Sequence, residues 1–139
     1  MPTIATWLVA ASAAILLLLG LAHLLFTFHG PKLLPRDPEL QKRMQEVSPV
    51  ITRQTTMWKT WIGFNASHSV ALILFGAVYG YLALAHGAFL FESVFLLALG
   101  LLVLLGYVFL ARMYFFRTPL RGVILATVLF VVGIVASRV

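Results

Sequence analysis

Long apolar runs alternate with short polar segments along this chain, and the runs carry charged side chains only near their ends. The predicted spans cover about residues 4–28, 58–85, 92–112 and 119–137. A helix of about 20 apolar residues crosses a hydrocarbon core ~30 Å thick. The pattern therefore predicts an all-α fold: an integral membrane bundle of four transmembrane helices, with residues 1–139 forming a single transmembrane domain.

The longest connection, residues 29–57, is predicted to contain a short helix. Asp37-Pro38-Glu39 has the pattern of a helix start, with a capping acid, a proline in the first turn and an acid after it. Beyond it, Leu40, Met44 and Val47 recur at i, i+4 and i+7, so they share one side of the helix. An amphipathic helix lying on lipid headgroups and a solvated linker helix both fit this pattern.

Composition excludes a soluble domain, because 62% of the residues are hydrophobic and only 10% are charged. The chain contains no cysteine, which removes disulfides and thiolate metal sites from consideration. The formal net charge is +6, but the basic residues lie outside the predicted spans or close to their ends. Anionic headgroups at the cytoplasmic face of the membrane are therefore the expected partners of these charges, and nucleic acid is not.

The distribution of basic residues predicts the orientation in the membrane. The first and third connections are basic, whereas the second connection and the N-terminal segment contain no Lys or Arg. By the positive-inside rule, loop 29–57 is cytoplasmic and both termini are extracytoplasmic, as in a bacterial inner-membrane protein. The basic residues concerned are Lys32, Arg36, Lys42, Arg43, Arg53, Lys59, Arg112, Arg117 and Arg121.

The second predicted span contains a polar cluster in its cytoplasmic half. Asn65 and His68 share a helix face with Trp61, and the first span carries His23 and Thr27 one turn apart. Polar groups at membrane depth are costly, so this face is expected to lie against the first span and not against lipid. The candidate ligand-binding residues are His23, Thr27, Trp61, Asn65, His68 and Arg112.

One interpretation of the cluster is catalytic. The imidazole of His68, beside Asn65 and Ser67, titrates near neutral pH and suits acid–base chemistry. No carboxylate lies in the interior of a span to orient such a base or to bind a hard metal ion. The sequence therefore leans against an enzyme, assigns no catalytic residue and predicts no metal site.

Two other interpretations remain open. His23 and His68 have the placement of axial ligands for a haem, while a quinone, sterol or lipid headgroup would suit Asn65, His68, Trp61 and Arg112. Alternatively, the polar groups only join neighbouring helices, and the protein is an accessory or structural bundle. Such a bundle would pack with other membrane subunits, in a larger membrane complex or a homo-oligomer. This last interpretation is the favoured one.

Several short segments resemble those of a family of small uncharacterised bacterial integral membrane proteins with four spans. They are Gly20-Leu21-Ala22-His23, Lys32-Leu33-Leu34-Pro35-Arg36-Asp37, Thr55-Thr56-Met57-Trp58 and Gly63-Phe64-Asn65-Ala66-Ser67-His68-Ser69. The resemblance covers most of the chain, and the GFNASHS segment is its most distinctive part. It implies a four-helix membrane protein and implies no activity.

Overall fold

The protein is all-α in the computed structural model, which describes residues 3–139. Four of its helices are long and apolar enough to cross a membrane. The predicted four spans, and the predicted short helix in the first connection, are therefore confirmed. The helices are α1 (Ile4–Phe28), α2 (Pro38–Glu46), α3 (Met57–Ala85), α4 (Gly87–Glu92), α5 (Val94–Tyr114) and α6 (Arg117–Ala136).

The chain divides into two compact units. The first, here called the bundle unit, consists of the residues up to Leu19 together with Leu72–Val139, and so contains parts of all four long helices. The second, here called the loop unit, is Gly20–Ala71 and contains the end of α1, the first connection and the start of α3.

Helix α2 begins where the Asp37-Pro38-Glu39 pattern predicts. The carboxylate of Asp37 accepts a hydrogen bond from the backbone N–H of Glu39 at 3.0 Å, and Pro38 lies in the first turn, where its missing N–H costs nothing. No residue of α2 is buried. On its apolar side Leu40 is 51% exposed and Met44 is half-buried, so the rest of the protein covers this side only in part.

The short helix α4 lies in the second connection, for which the sequence pattern predicts no helix. The structure instead starts a new helix at Gly87, directly after α3 ends at Ala85. Its Leu90 side chain is fully buried and anchors the helix in the bundle unit. Ser93 then caps α5, since its hydroxyl accepts a hydrogen bond from the N–H of Leu96 at 3.3 Å.

The core of the bundle unit is aromatic at its centre. Tyr79 stacks on Phe75, with ring centroids 4.5 Å apart, and meets Phe130 edge to face at 5.6 Å. Such offset and edge-to-face arrangements are the preferred ones for aromatic rings. The largest fully buried side chains are Phe130, Leu16, Leu90, Leu104, Val9, Ser12 and, in the loop unit, Ser69.

Glycine permits the closest helix contacts in the bundle unit. A Cβ atom on Gly76 would lie 2.6 Å from the carbonyl oxygen of Ala13 and 2.7 Å from the backbone N of Leu17. Helices α1 and α3 therefore approach backbone to backbone there, as in other membrane helix pairs that meet at small residues. The contact is looser at Gly80, four residues further along α3, where a Cβ would be 3.7 Å from that of Ala13.

Two side-chain hydrogen bonds also join helices of the bundle unit. The hydroxyl of Ser12 on α1 donates to the carbonyl of Ala126 on α6 at 2.7 Å, and Tyr79 on α3 donates to the carbonyl of Leu96 on α5 at 2.7 Å. No buried side-chain nitrogen or oxygen within residues 3–139 lacks a hydrogen-bond partner. Every such group at membrane depth is thus satisfied, as hydrocarbon surroundings require.

Candidate functional site

The candidate site is a polar cluster of the loop unit, where the end of α1 meets the start of α3. His23 Nε2 and Asn65 Oδ1 are 3.0 Å apart, within hydrogen-bond distance. The rings of His23 and His68 contact each other edge to face, with centroids 5.1 Å apart and an interplanar angle of 76°. The predicted contact of this helix face with the first span is therefore confirmed, because Asn65 and His68 both contact His23.

The hydroxyl groups around the cluster bond to their own helices. Thr27 is buried and donates to the carbonyl of His23 at 2.8 Å, while Ser69, also buried, donates to the carbonyl of Asn65 at 2.9 Å. Both bonds have the i to i−4 pattern with which Ser and Thr satisfy themselves inside membrane helices. Thr27 therefore lies beside the cluster without offering its proton to it.

Asn65 has a defined orientation because both ends of its amide are in use. Its Nδ2 donates to the carbonyl of Trp61 at 2.8 Å, so its Oδ1 is the end that faces His23. An amide oxygen can only accept, and the bond therefore requires a proton on His23 Nε2. In the neutral imidazole this leaves Nδ1 as the unprotonated nitrogen. The cluster thus fixes one tautomer of His23.

Trp61 anchors the first connection and does not direct its N–H toward the imidazoles. Its Nε1 donates to the carbonyl of Leu33 at 3.2 Å. Nearby, the ammonium of Lys32 lies 3.7 Å from the ring centroid of Phe26, a cation–π contact. Tryptophan and lysine at the ends of spans are typical of the membrane–water interface. Trp61 and Lys32 are therefore residue types expected where α1 and α3 would leave a bilayer.

Arg112 belongs to the bundle unit, near the end of α5, and is exposed. The contacts that join His23, Asn65 and His68 are all within the loop unit. A ligand held jointly by Arg112 and the cluster therefore stays a prediction.

The observed geometry does not fit a haem held by both histidines. A porphyrin with His23 and His68 as its axial ligands has to lie between the two rings, and the rings are in direct contact. Within residues 3–139 no three His, Asp or Glu side chains come together in a way that suits a metal ion. What the arrangement does chemically is join two helices through an oriented imidazole–amide pair.

We expect Asn65→Leu to destabilise the protein by ~0.6–2 kcal/mol, the range of hydrogen bonds between membrane helices. The reason is that the Nε2–H group of His23 would lose its hydrogen-bond acceptor in apolar surroundings. Adding His23→Leu should restore part of the loss, because removing both partners is nearly neutral. Unfolding by sodium dodecyl sulfate in mixed micelles, as a double-mutant cycle, measures the coupling. Strictly additive losses would contradict a structural role for the pair.

Comparison with protein-family models, with curated proteins and with solved structures finds no match for this chain.

Proposed function

We propose that this protein is an accessory or structural bundle of the membrane, a single transmembrane domain that packs against other membrane subunits. The polar side chains in its spans support the proposal, because those described above bond to neighbouring helices or to their own backbone. The observation that carries it is the open surface around Gly106 on α5.

Gly106 and Gly100 lie on the same helix but have opposite surroundings. A Cβ atom on Gly100 would meet the rings of Phe130 and Tyr79 at 2.6–2.8 Å, so this glycine serves contacts within the protein. A Cβ on Gly106 would meet nothing within 4 Å. Glycine in the middle of a span lowers helix propensity and is typical of close approach by a second helix. The bare backbone at Gly106 offers that approach to a partner outside the chain.

Photo-cross-linking in native membranes tests the proposal. A photoreactive residue in place of Leu102, which is 68% exposed one turn before Gly106, should give a discrete protein adduct. The same residue in place of Leu104, which is fully buried on the same helix, should give none beyond the chain itself. Adducts with lipid alone at both positions would contradict the packing role.

Gly106→Leu supplies a further control for the cross-linking at position 102. Gly106→Leu adds a side chain where there is open space, so the fold should persist while the adduct at position 102 weakens. If Gly106→Leu leaves the adduct unchanged, the contact is formed by another face of the protein. The size of the adduct distinguishes a second copy of the chain from a different subunit.

The proposal includes an orientation: both termini extracytoplasmic and the 29–57 connection cytoplasmic, in a bacterial inner membrane. The basic first and third connections and the uncharged second connection support it, as does the resemblance to small bacterial four-span proteins. We expect reporter fusions at Gly87 and after Val139 to report the extracytoplasmic side, and a fusion within 29–57 to report the cytoplasm. A cytoplasmic signal at Gly87 would overturn this orientation.

Binding of a lipid-soluble ligand such as a quinone or a lipid headgroup is a second candidate. It is favoured by one observation: His23, Asn65 and His68 are only half-buried, so part of the cluster is accessible from outside. A ligand held there should copurify with the protein and be lost in the Asn65→Leu and His68→Leu variants, with the bundle intact. An unchanged set of copurifying lipids would leave only the structural role.

A further inference from the structure

The loop that leads into α3 exposes two aliphatic side chains at its tip. Val50 is 109% and Ile51 is 92% exposed, so neither side chain is covered by any part of residues 3–139. Apolar side chains of this size are often buried, because the removal of apolar surface from water is favourable. Two adjacent aliphatic side chains that remain in water contribute no such stabilisation. Their exposure is therefore explained best by an apolar environment outside the described chain.

The loop has a defined conformation. The N–H of Met57, the first residue of α3, donates to the carbonyl of Val47 at 2.8 Å and closes the segment 47–57. At its tip the N–H of Thr52 donates to the carbonyl of Pro49 at 3.2 Å, which makes Val50 and Ile51 the central residues of a turn. Thr56 then caps α3, since its hydroxyl accepts from the N–H of Lys59 at 3.3 Å.

Turn formation does not explain the choice of these two residues. The central positions of turns favour Gly, Pro, Asn, Asp and Ser, whereas Val and Ile are β-branched and suit extended backbone. A local structure that disfavours Val50 and Ile51 holds both of them fully outward. The sequence of the tip is therefore explained better by what it contacts than by how it folds.

The closure also fixes where the tip lies. Val50 is three residues from Val47, so its Cα is within roughly 11 Å of the Cα of Val47, whose carbonyl binds the start of α3. Helix α3 is long and apolar enough to cross a membrane, and Trp61 in its second turn is the residue type typical of the membrane–water interface. The tip is thus held close to the level of the headgroups.

The charges around the tip match an anionic surface. From residue 47 to residue 60 the chain carries Arg53 and Lys59 and no carboxylate. Arg53 is exposed, two residues beyond Ile51, and Lys59 is exposed in the first turn of α3. Apolar side chains beside cations are the features with which a peripheral segment enters the interface of a membrane that contains anionic lipids.

We propose that Val50 and Ile51 insert into the interfacial region of the bilayer beside the spans, in a leaflet whose anionic headgroups are bound by Arg53 and Lys59. The proposal does not depend on the packing role of the bundle, because it concerns a separate surface and a lipid partner. It makes the first connection a second membrane contact in addition to the spans.

The absence of cysteine from the chain allows a direct test. An environment-sensitive fluorophore on Ile51→Cys is compared with the same fluorophore on Gln54→Cys, which is exposed in the same loop. The full-length protein is placed in lipid nanodiscs of phosphatidylcholine, with and without phosphatidylglycerol. Both substitutions are at exposed positions, so neither should disturb the fold.

We expect the label at position 51 to show blue-shifted emission and to be quenched severalfold more by spin-labelled acyl chains than the label at position 54. Iodide should quench the two labels in the reverse order. Phosphatidylglycerol should increase the difference in emission and in quenching between them. Equal access of iodide to both labels would overturn the insertion. The same spectrum with and without phosphatidylglycerol would overturn the assignment of anionic headgroups. A blue shift in native membranes but not in nanodiscs would assign the tip to a protein partner instead.

Discussion

Gly76→Ala is expected to destabilise the bundle unit by ~1–3 kcal/mol, the typical cost of overpacking a well-packed interior. The new methyl group would lie 2.6 Å from the carbonyl oxygen of Ala13 and 2.7 Å from the backbone N of Leu17. Backbone atoms cannot rotate away as a side chain does, so α1 and α3 would have to separate. Unfolding by sodium dodecyl sulfate in mixed micelles measures the loss.

Gly106→Ala is the matched control for this substitution. It makes the same chemical change in a membrane helix, but the added methyl group meets nothing within 4 Å. Its stability should equal that of the unchanged protein or exceed it by up to ~1 kcal/mol, because alanine favours helix more than glycine does. Equal losses in the two variants would show that the α1–α3 contact at Gly76 does not decide the effect.

The second large effect is expected from Phe130→Ala. Phe130 is fully buried and contacts the rings of both Phe75 and Tyr79. Deleting a buried phenylalanine ring costs ~3–5 kcal/mol in water-soluble cores. We expect the lower end here, because lipid is as apolar as the core and the loss comes from packing contacts rather than from exposure to water.

Phe109→Ala, on α5, serves as the comparison. Its ring is 61% exposed, so lipid replaces most of the contacts that the substitution removes. The expected change in the free energy of unfolding is within about 0.5 kcal/mol, as for substitutions away from the core. A loss at Phe109 as large as that at Phe130 would mean that the exposed face of α5 is packed in the membrane, which would point to the association proposed at Gly106.

The architecture was predictable because hydrocarbon imposes a simple requirement on the sequence. Each span has to satisfy its backbone internally and stay predominantly apolar, so hydropathy alone shows the four long helices. Helix α2 was predictable for a different reason, since Asp37-Pro38-Glu39 is a local capping pattern that needs no tertiary contact. Helix α4 was missed because its apolar residues carry no pattern that distinguishes a short helix from the entry to a span.

The polar contacts were predictable only where both partners are distinctive side chains. His23, Asn65 and His68 are rare groups at membrane depth, so their meeting could be expected from the sequence. Ser12 and Tyr79 bond instead to the carbonyls of Ala126 and Leu96. Every residue has a carbonyl, and the sequence holds no signal that selects one of them. The sequence likewise does not show which residues of α1 Gly76 contacts, because those contacts are with backbone atoms.

The bond between Ser12 and Ala126 has a consequence for biogenesis. Its two residues are 114 positions apart, one on α1 and the other on α6, so α1 leaves the ribosome well before α6. Until α6 enters the bilayer, the hydroxyl of Ser12 lacks this acceptor and can bond instead to a carbonyl of its own helix. Helix α1 is therefore synthesised before its neighbour α6, and its docking against α6 has to wait until α6 enters the bilayer.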